Sequence, residues 1–174
     1  MTPLPRPDLS WRDIQHLCVQ SAQIVNPGDE DWELTAAGRP YNYKFGFGKL
    51  DAFEFVTAAQ KWQPVKPQAW VELSAIQIED GTMDEKGNFD GGRLITEDGV
   101  SSEVEVTWQT LENNNFDKLE HVTVNVWIEH SRRGDVEVEL ISPKGIKSML
   151  AETRKRDGDR RGFMGWRFMT VKHW

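Results

Sequence analysis

Apolar side chains recur at every second position within residues 119–150, and this alternation constrains the fold more than any other feature of the sequence. Apolar and mostly polar residues alternate at positions 122–128, and the alternation returns at positions 136–140. A period of two is that of a strand with one buried and one solvated face. Glycine-containing turns at residues 131–135 and 142–145 follow the two runs. The pattern predicts antiparallel strands of a β-sandwich or jelly roll, a packing module with no evident place for chemistry.

The charge and hydropathy of the chain argue against two classes of partner. Its formal net charge is −7, whereas a nucleic-acid-binding protein carries a basic footprint. No apolar run approaches the ~20 residues that a membrane helix needs, and no start typical of a signal peptide is visible. The lone Cys18 excludes an intramolecular disulfide. We therefore expect no nucleic-acid partner and no membrane segment in this chain.

Residues 1–62 have a helical pattern. Ser10 is the predicted N-cap of a first helix, with the Asp13 carboxylate near the positive end of its dipole and an end at residues 26–28. A second helix is predicted from about Leu50 to Trp62. Before it lie Gly46 and Gly48, where the backbone must turn tightly or pack closely.

Residues 63–69 contain two prolines and predict a semi-rigid linker, beyond which the pattern is one of strands and turns. Alternating apolar residues predict strands around positions 71–78 and 104–108, with loops between. Residues 162–174 are aromatic and β-prone.

The pattern of a known family appears at residues 7–17, 45–52, 119–151 and 162–174. These four segments resemble the kexin-like proprotein convertases, subtilisin-type serine endopeptidases of the secretory pathway. PDLSWRDIQHL at residues 7–17 resembles the helix that follows the catalytic serine helix in these enzymes. FGFGKLDA at residues 45–52, which includes Asp51, resembles a YGFGxxDA segment near the end of the catalytic domain. Residues 119–151 and 162–174 resemble the companion P domain, a β-sandwich packed on the protease.

The resemblance implies a mixed fold that is truncated at both ends. Residues 1–62 would be the last two helices of a subtilisin-like α/β peptidase domain, and residues 63–69 the Pro-containing linker. Residues 70–174 would be an all-β jelly-roll P domain whose last strands are missing.

The implied parent enzyme hydrolyses proproteins after paired basic residues, in the secretory pathway or late Golgi. This piece would be its stabilising P domain, with the catalytic domain as intramolecular partner. The catalytic Asp, His, Asn and Ser motifs of the family precede the matching region, so no residue is assigned a catalytic role and the chain alone is expected to be inactive. Calcium is expected for the parent and no cofactor for this chain. The alternatives are a free-standing non-catalytic P-domain binding module and a gene-model fragment that does not fold alone.

Several motifs have a functional and a structural interpretation. Arg133-Gly134-Asp135 matches the tripeptide that integrins bind, but a hairpin turn with Gly134 at positive φ is the favoured interpretation. Residues 84–90 place oxygen ligands at alternate positions, but Lys86 and Phe89 interrupt a calcium loop, and a solvated loop is favoured.

Paired basic residues and tryptophans complete the candidates. The dibasic sequences at positions 132–133, 154–156 and 160–161 could be cut if exposed, although charged soluble loops are the favoured interpretation. The histidines at 121 and 130 flank one predicted strand and would lie ~30 Å apart, which excludes a shared catalytic role. The residues predicted to pack between the two modules are Trp11, Trp62, Trp70 and Trp166.

Overall fold

The computed structural model describes residues 6–76, 82–86 and 89–174, which form two compact units. The first unit contains the described residues up to Gln68 together with Lys172–Trp174, and the second is Ala69–Val171. Residues 172–174 therefore group with the helical unit, whereas the sequence placed them with the strands that precede them. The functional domain boundaries stay a prediction.

Helix α1 (Trp11–Ser21) begins as the sequence predicts but ends earlier. Ser10 and Asp13 form a reciprocal capping box, in which each side chain binds the other residue's backbone N–H. The prediction of an end at residues 26–28 is wrong, because the Ser21 hydroxyl donates to the Leu17 carbonyl and Ala22 turns into extended backbone.

Two small antiparallel strand pairs connect α1 to the next helix. Strand β1 (Ala22–Gln23) pairs with β4 (Lys49–Leu50), and β2 (Glu33–Leu34) pairs with β3 (Pro40–Tyr41). Helix α2 (Ala52–Lys61) then packs against α1.

The pairing of β1 with β4 explains why position 48 is a glycine, and helix capping explains why position 51 is an aspartate. Gly48 has φ +119, and a Cβ there would lie 2.8 Å from the Gln23 carbonyl carbon on β1. The Asp51 carboxylate accepts the N–H groups of Phe53 and Glu54, which makes Asp51 the N-cap of α2. Leu50, predicted to begin this helix, instead ends β4.

The second unit contains two longer strand pairs. Strand β7 (Val122–Ile128) pairs antiparallel with β10 (Phe163–Thr170), and β8 (Val138–Ile141) pairs with β9 (Lys147–Ala151). The β8–β9 hairpin turns at residues 142–145, as predicted. Val136, Ala151 and Phe163 are buried in the core of the unit, with partly buried side chains from β7, β8 and β10 around them.

Among the described residues, two predicted strands do not form. Residues 62–76 have no regular structure, and positions 77 and 78 lie outside the described residues. Residues 101–107 have none either, and Thr107 caps the short helix α3 (Trp108–Asn113) by accepting the N–H of Thr110. Val104 and Val106 are about half exposed and pair with no strand among the described residues, so their apolar alternation does not make a strand here.

The predicted loop between residues 79 and 99 contains one further small sheet, in which β5 (Thr82–Met83) pairs with β6 (Phe89–Asp90). The described residues thus form three α-helices and five two-stranded antiparallel sheets, a mixed architecture. None of the described helices is long and apolar enough to cross a membrane.

Candidate functional site

Arg133–Asp135 forms a 3₁₀ turn between β7 and β8, and this turn is the centre of the best-built polar cluster of the second unit. The prediction of a hairpin turn is wrong, because β7 and β8 belong to different strand pairs. The predicted positive φ at Gly134 is also wrong.

Gly134 is required by close approach of the backbone rather than by a left-handed conformation. Its N–H donates to the Asp157 carbonyl at 3.0 Å, and its own carbonyl accepts the Arg154 N–H at 2.7 Å. A Cβ at this position would overlap the Arg154 carbonyl oxygen and lie 2.6 Å from that of Asp157. Gly134 is buried in this contact.

The Arg133 guanidinium forms a two-pronged ion pair with Asp157. Its Nε and Nη2 atoms donate to the two carboxylate oxygens at 2.8 and 2.9 Å. Both side chains are about one-fifth exposed, 20% and 18%. The guanidinium carbon also lies 5.0 Å from the centre of the Trp166 ring, within the range of a cation–π contact. Arg133 thus ties the turn both to residue 157 and to β10.

Three more charged residues complete the cluster. Arg154 Nε lies 3.2 Å from the Asp157 carboxylate, and its guanidinium lies over the Phe163 ring. Asp159 accepts from Arg161 at 2.9 Å and lies 3.7 Å from Arg133. We call this set the Arg133–Asp157 cluster; its members are Arg133, Arg154, Asp157, Asp159 and Arg161.

The cluster stabilises its carboxylates in their ionised form. Hydrogen bonds from Arg133 hold the pKa of Asp157 below its ordinary value. Hydrogen bonds from the Arg161 side chain and backbone lower the pKa of Asp159 to about 2. The same contacts raise the pKa of Arg133, chiefly through its hydrogen bonds to Asp157.

The geometry favours the structural interpretation of the Arg133-Gly134-Asp135 tripeptide. Arg133 is engaged with Asp157, Gly134 is buried, and Asp135 pairs with Arg132 at 3.1 Å. An open depression of about 390 Å³ lies beside the cluster, lined by Met149, Thr153 and the rings of β10 among others. The sequence interpretation missed Asp157 and Asp159, although acids interleaved with basic pairs in RKRDGDRR were a visible signal.

The first unit has its own buried polar centre at Asp13, which is 1% exposed. Its carboxylate accepts from the Ser10 N–H and hydroxyl at 2.7 and 2.6 Å, and from Trp62 Nε1 and the Val65 N–H, both at 2.8 Å. Burial alone would raise the pKa of Asp13, but these hydrogen bonds outweigh it and hold that pKa well below its ordinary value.

Each of the four tryptophans has a described place within its own unit. Trp62 binds Asp13 in the first unit, where Trp11 is 61% exposed. In the second unit Trp70 is 62% exposed and packs edge-on against His121, while Trp166 packs against Arg133. Their role between the modules stays a prediction.

The end of the chain also has a defined place in the first unit. Lys172 is 2% exposed, and its Nζ donates to Glu33 at 2.9 Å and lies 4.8 Å from the centre of the Tyr43 ring. The Trp174 ring packs edge-on against His16. The strand in the β-prone segment ends at Thr170, and Lys172–Trp174 group with the first unit.

The structure describes only part of the segment at residues 84–90, for which the sequence favours a solvated loop over a calcium loop. The Asp84 carboxylate accepts the Lys86 N–H at 2.9 Å, as in a turn, and position 88 lies outside the described residues. No group of three His, Cys, Asp or Glu side chains able to hold a metal ion occurs among the described residues.

Similarity to known proteins extends over both units. Residues 119–174 match the family described as "Proprotein convertase P-domain". Over 171 residues the chain is 45% identical to the "Dibasic-processing endoprotease" of Schizosaccharomyces pombe, an alignment that covers 97% of this chain and 23% of that protein. The resemblance to kexin-like proprotein convertases is confirmed.

More distant convertases align over the same extent. The "Kexin" of Saccharomyces cerevisiae is 37% identical, with 97% of this chain and 19% of that protein covered. The "Furin" of Mus musculus is 34% identical, with 96% of this chain and 19% of that protein covered. The chain therefore spans about a fifth of the length of the convertases that it matches.

A solved structure is similar in fold. The "Crystal structure of serine protease of Aeromonas sobria" superposes with a TM-score of 0.62 at 20% identity, and the match covers 97% of this chain and 31% of that one. At this identity the likeness concerns the fold alone.

Proposed function

We propose that the chain provides the P domain, and the end of the peptidase domain before it, of a kexin-like serine endopeptidase that cleaves proproteins after paired basic residues. The observation that carries the proposal is the alignment with a dibasic-processing endoprotease, at 45% identity over 97% of the chain. The match of residues 119–174 to the P-domain family supports it independently.

The role of this segment in the whole enzyme is support. The pairs β7–β10 and β8–β9 are the antiparallel elements from which a jelly-roll sandwich is built. The Arg133–Asp157 cluster holds the turn after β7 against the segment that leads into β10. The whole enzyme would act in the secretory pathway through an acyl-enzyme on a serine, and no residue of this chain is assigned to that chemistry.

Calcium is proposed for the whole enzyme and not for a site in this segment. The carboxylate of Asp84 accepts a backbone N–H, and Lys86 places an ammonium group where a ligand oxygen would be needed. Residues 84–86 therefore do not fit a calcium ion, and we derive no step through it.

A chimera tests the supporting role. The matching 171 residues of the Schizosaccharomyces pombe enzyme are replaced by this chain, and hydrolysis of a fluorogenic Lys-Arg peptide is measured before and after heating. We expect an active chimera. An Arg133→Ala version should lose activity at lower temperature, whereas Glu139→Gln, which removes an exposed ion pair with Lys147, should not.

A secreted, folded chimera without activity would contradict the proposal. The isolated chain is assayed in parallel with the same fluorogenic peptide, and we expect it to hydrolyse none. Hydrolysis that a serine-directed phosphonate abolishes would show that the chain is itself a peptidase.

A further inference from the structure

The chain contains three paired basic sequences, and the fold brings all of them into the Arg133–Asp157 cluster. The pair at 132–133 spans the start of the 3₁₀ turn, and the sequences at 154–156 and 160–161 lie between β9 and β10. Endopeptidases that select basic pairs must bind the two side chains and the backbone beside them in an extended form. None of the three sequences is available in that form.

Contacts of both the side chain and the backbone of Arg133 prevent a protease from binding it. The guanidinium holds both oxygens of Asp157 and lies on the Trp166 ring. Its backbone N–H donates to the Asp159 carbonyl at 2.8 Å. The residue after it, Gly134, is buried between two carbonyls, so no enzyme can reach the 133–134 peptide bond from either side.

The 154–156 sequence is exposed at its tip but held in a tight turn. The Asp157 N–H donates to the Arg154 carbonyl at 2.9 Å, and Arg132 Nη2 donates to the Lys155 carbonyl at 2.6 Å. Lys155 and Arg156 extend their side chains into solvent. The bond that would be cut therefore lies between an accessible Arg156 and an anchored Asp157.

The 160–161 sequence is likewise exposed at its side chains and held at its backbone. Arg161 donates its backbone N–H and its guanidinium to Asp159 at 2.8 and 2.9 Å, which folds the residues back on themselves. The next residue, Gly162, is buried at φ +73, and a Cβ there would overlap the Ile128 carbonyl. The basic side chains are exposed while the bond after them is anchored.

We propose that the Arg133–Asp157 cluster is a conformational mask that protects three paired basic sequences from dibasic endoproteases and that releases the sites after Arg156 and Arg161 when the ion pair opens. Cleavage at either site adds one water across the peptide bond, leaving a carboxylate on the arginine and an amine on Asp157 or Gly162. The fold would thus couple loss of native structure to destruction by the class of protease that acts on such pairs. The inference does not depend on the proposed function, because the protease is added from outside.

The test is cleavage of the full 174-residue chain by an added yeast-type kexin, with products mapped by mass spectrometry and folding followed by circular dichroism. The chain is compared with a peptide of residues 150–163, which has the sites without the fold. We expect the folded chain to be cut at least ~100-fold more slowly than the peptide, since cleavage must await opening. Cutting after Arg156 or Arg161 within twofold of the peptide's rate would overturn the proposal.

Asp157→Asn tests the ion pair, and Glu139→Gln is the matched control because it neutralises an exposed carboxylate in the same unit. The expected result is cleavage after Arg161 roughly tenfold faster or more for Asp157→Asn and unchanged for Glu139→Gln, since a charge-assisted two-pronged contact is lost. The site after Arg161 is compared because Asp157 itself forms part of the bond after Arg156. If Asp157→Asn does not fold, Arg133→Lys is the test of the ion pair. This variant keeps the positive charge and the basic pair but loses the planar guanidinium that binds both oxygens of Asp157. A folded Arg133→Lys chain cut at the wild-type rate would disprove the mask, and a several-fold increase would support it.

Discussion

The hydrogen bonds to Asp13 make a quantitative prediction for the stability of the first unit. Asp13→Ala leaves three N–H donors without their acceptor, namely those of Ser10, Trp62 and Val65. An unmet buried donor costs about 1–3 kcal/mol, and water can reach some of these partly buried groups. We therefore expect Asp13→Ala to lower the free energy of unfolding by about 3–5 kcal/mol.

Asp13→Asn should have a smaller effect than Asp13→Ala. The amide oxygen can still accept from Trp62 and Val65, but the NH₂ group then faces the Ser10 N–H, so we expect a loss of about 2–3 kcal/mol. For a chain of this size each kcal/mol lowers the Tm by about 2–4 °C. Thermal melts followed by circular dichroism, with hydrogen exchange at the Val65 amide, measure both the global and the local effect.

The control for this prediction is Asp31→Asn, the same chemical change at a surface position. Asp31 is about half exposed and pairs with Lys44, which retains Asp29 as a second partner. Its removal should change the free energy of unfolding by less than ~1 kcal/mol. Asp13→Ala melting like Asp31→Asn would refute the reasoning that the four hydrogen bonds hold this unit together.

Three further predictions concern pH, backbone space and capping. The pKa of Asp13 is lower in the folded chain than its ordinary 3.8, so the stabilising contribution of its carboxylate is present above about pH 4 and is lost as the pH falls further. Between pH 7 and pH 2 the Tm should therefore fall less steeply in Asp13→Asn than in the wild type. Gly134→Ala should lower the free energy of unfolding by at least ~1–3 kcal/mol in urea titrations, because the added Cβ meets two carbonyls. A Cβ at Gly158 has nothing within 4 Å, so Gly158→Ala should be near neutral. Equal urea midpoints for the two variants would contradict this. Asp51→Ala removes the N-cap of α2 and should cost ~1 kcal/mol, and an unchanged urea midpoint would show that the cap is dispensable.

Features encoded by neighbouring residues could be predicted from the sequence. Ser10 and Asp13 lie three positions apart, so the capping box and the start of α1 follow from local chemistry. The alternation at residues 122–128 likewise predicts β7, because a strand's period is visible in the strand itself.

Features that depend on distant partners could not be predicted in the same way. The alternation cannot reveal that β7 pairs with β10 rather than with β8, and this pairing decides that Arg133–Asp135 is not a hairpin turn. The donors from Trp62 and Val65 reach Asp13 from about fifty residues away. Similarly, the alternation at Val104 and Val106 cannot reveal that no strand in the described part of the chain pairs with them.

The shared use of one carboxylate has a consequence for how this sequence can diverge. Asp157 accepts from Arg133 and Arg154 together, while its own backbone carbonyl accepts from Gly134. Substitutions at these positions should therefore be inherited as a linked set across species. A lineage that exchanges Arg133 for a smaller residue should carry a compensating change at 157, and the glycine between the two carbonyls should be the last of the set to vary.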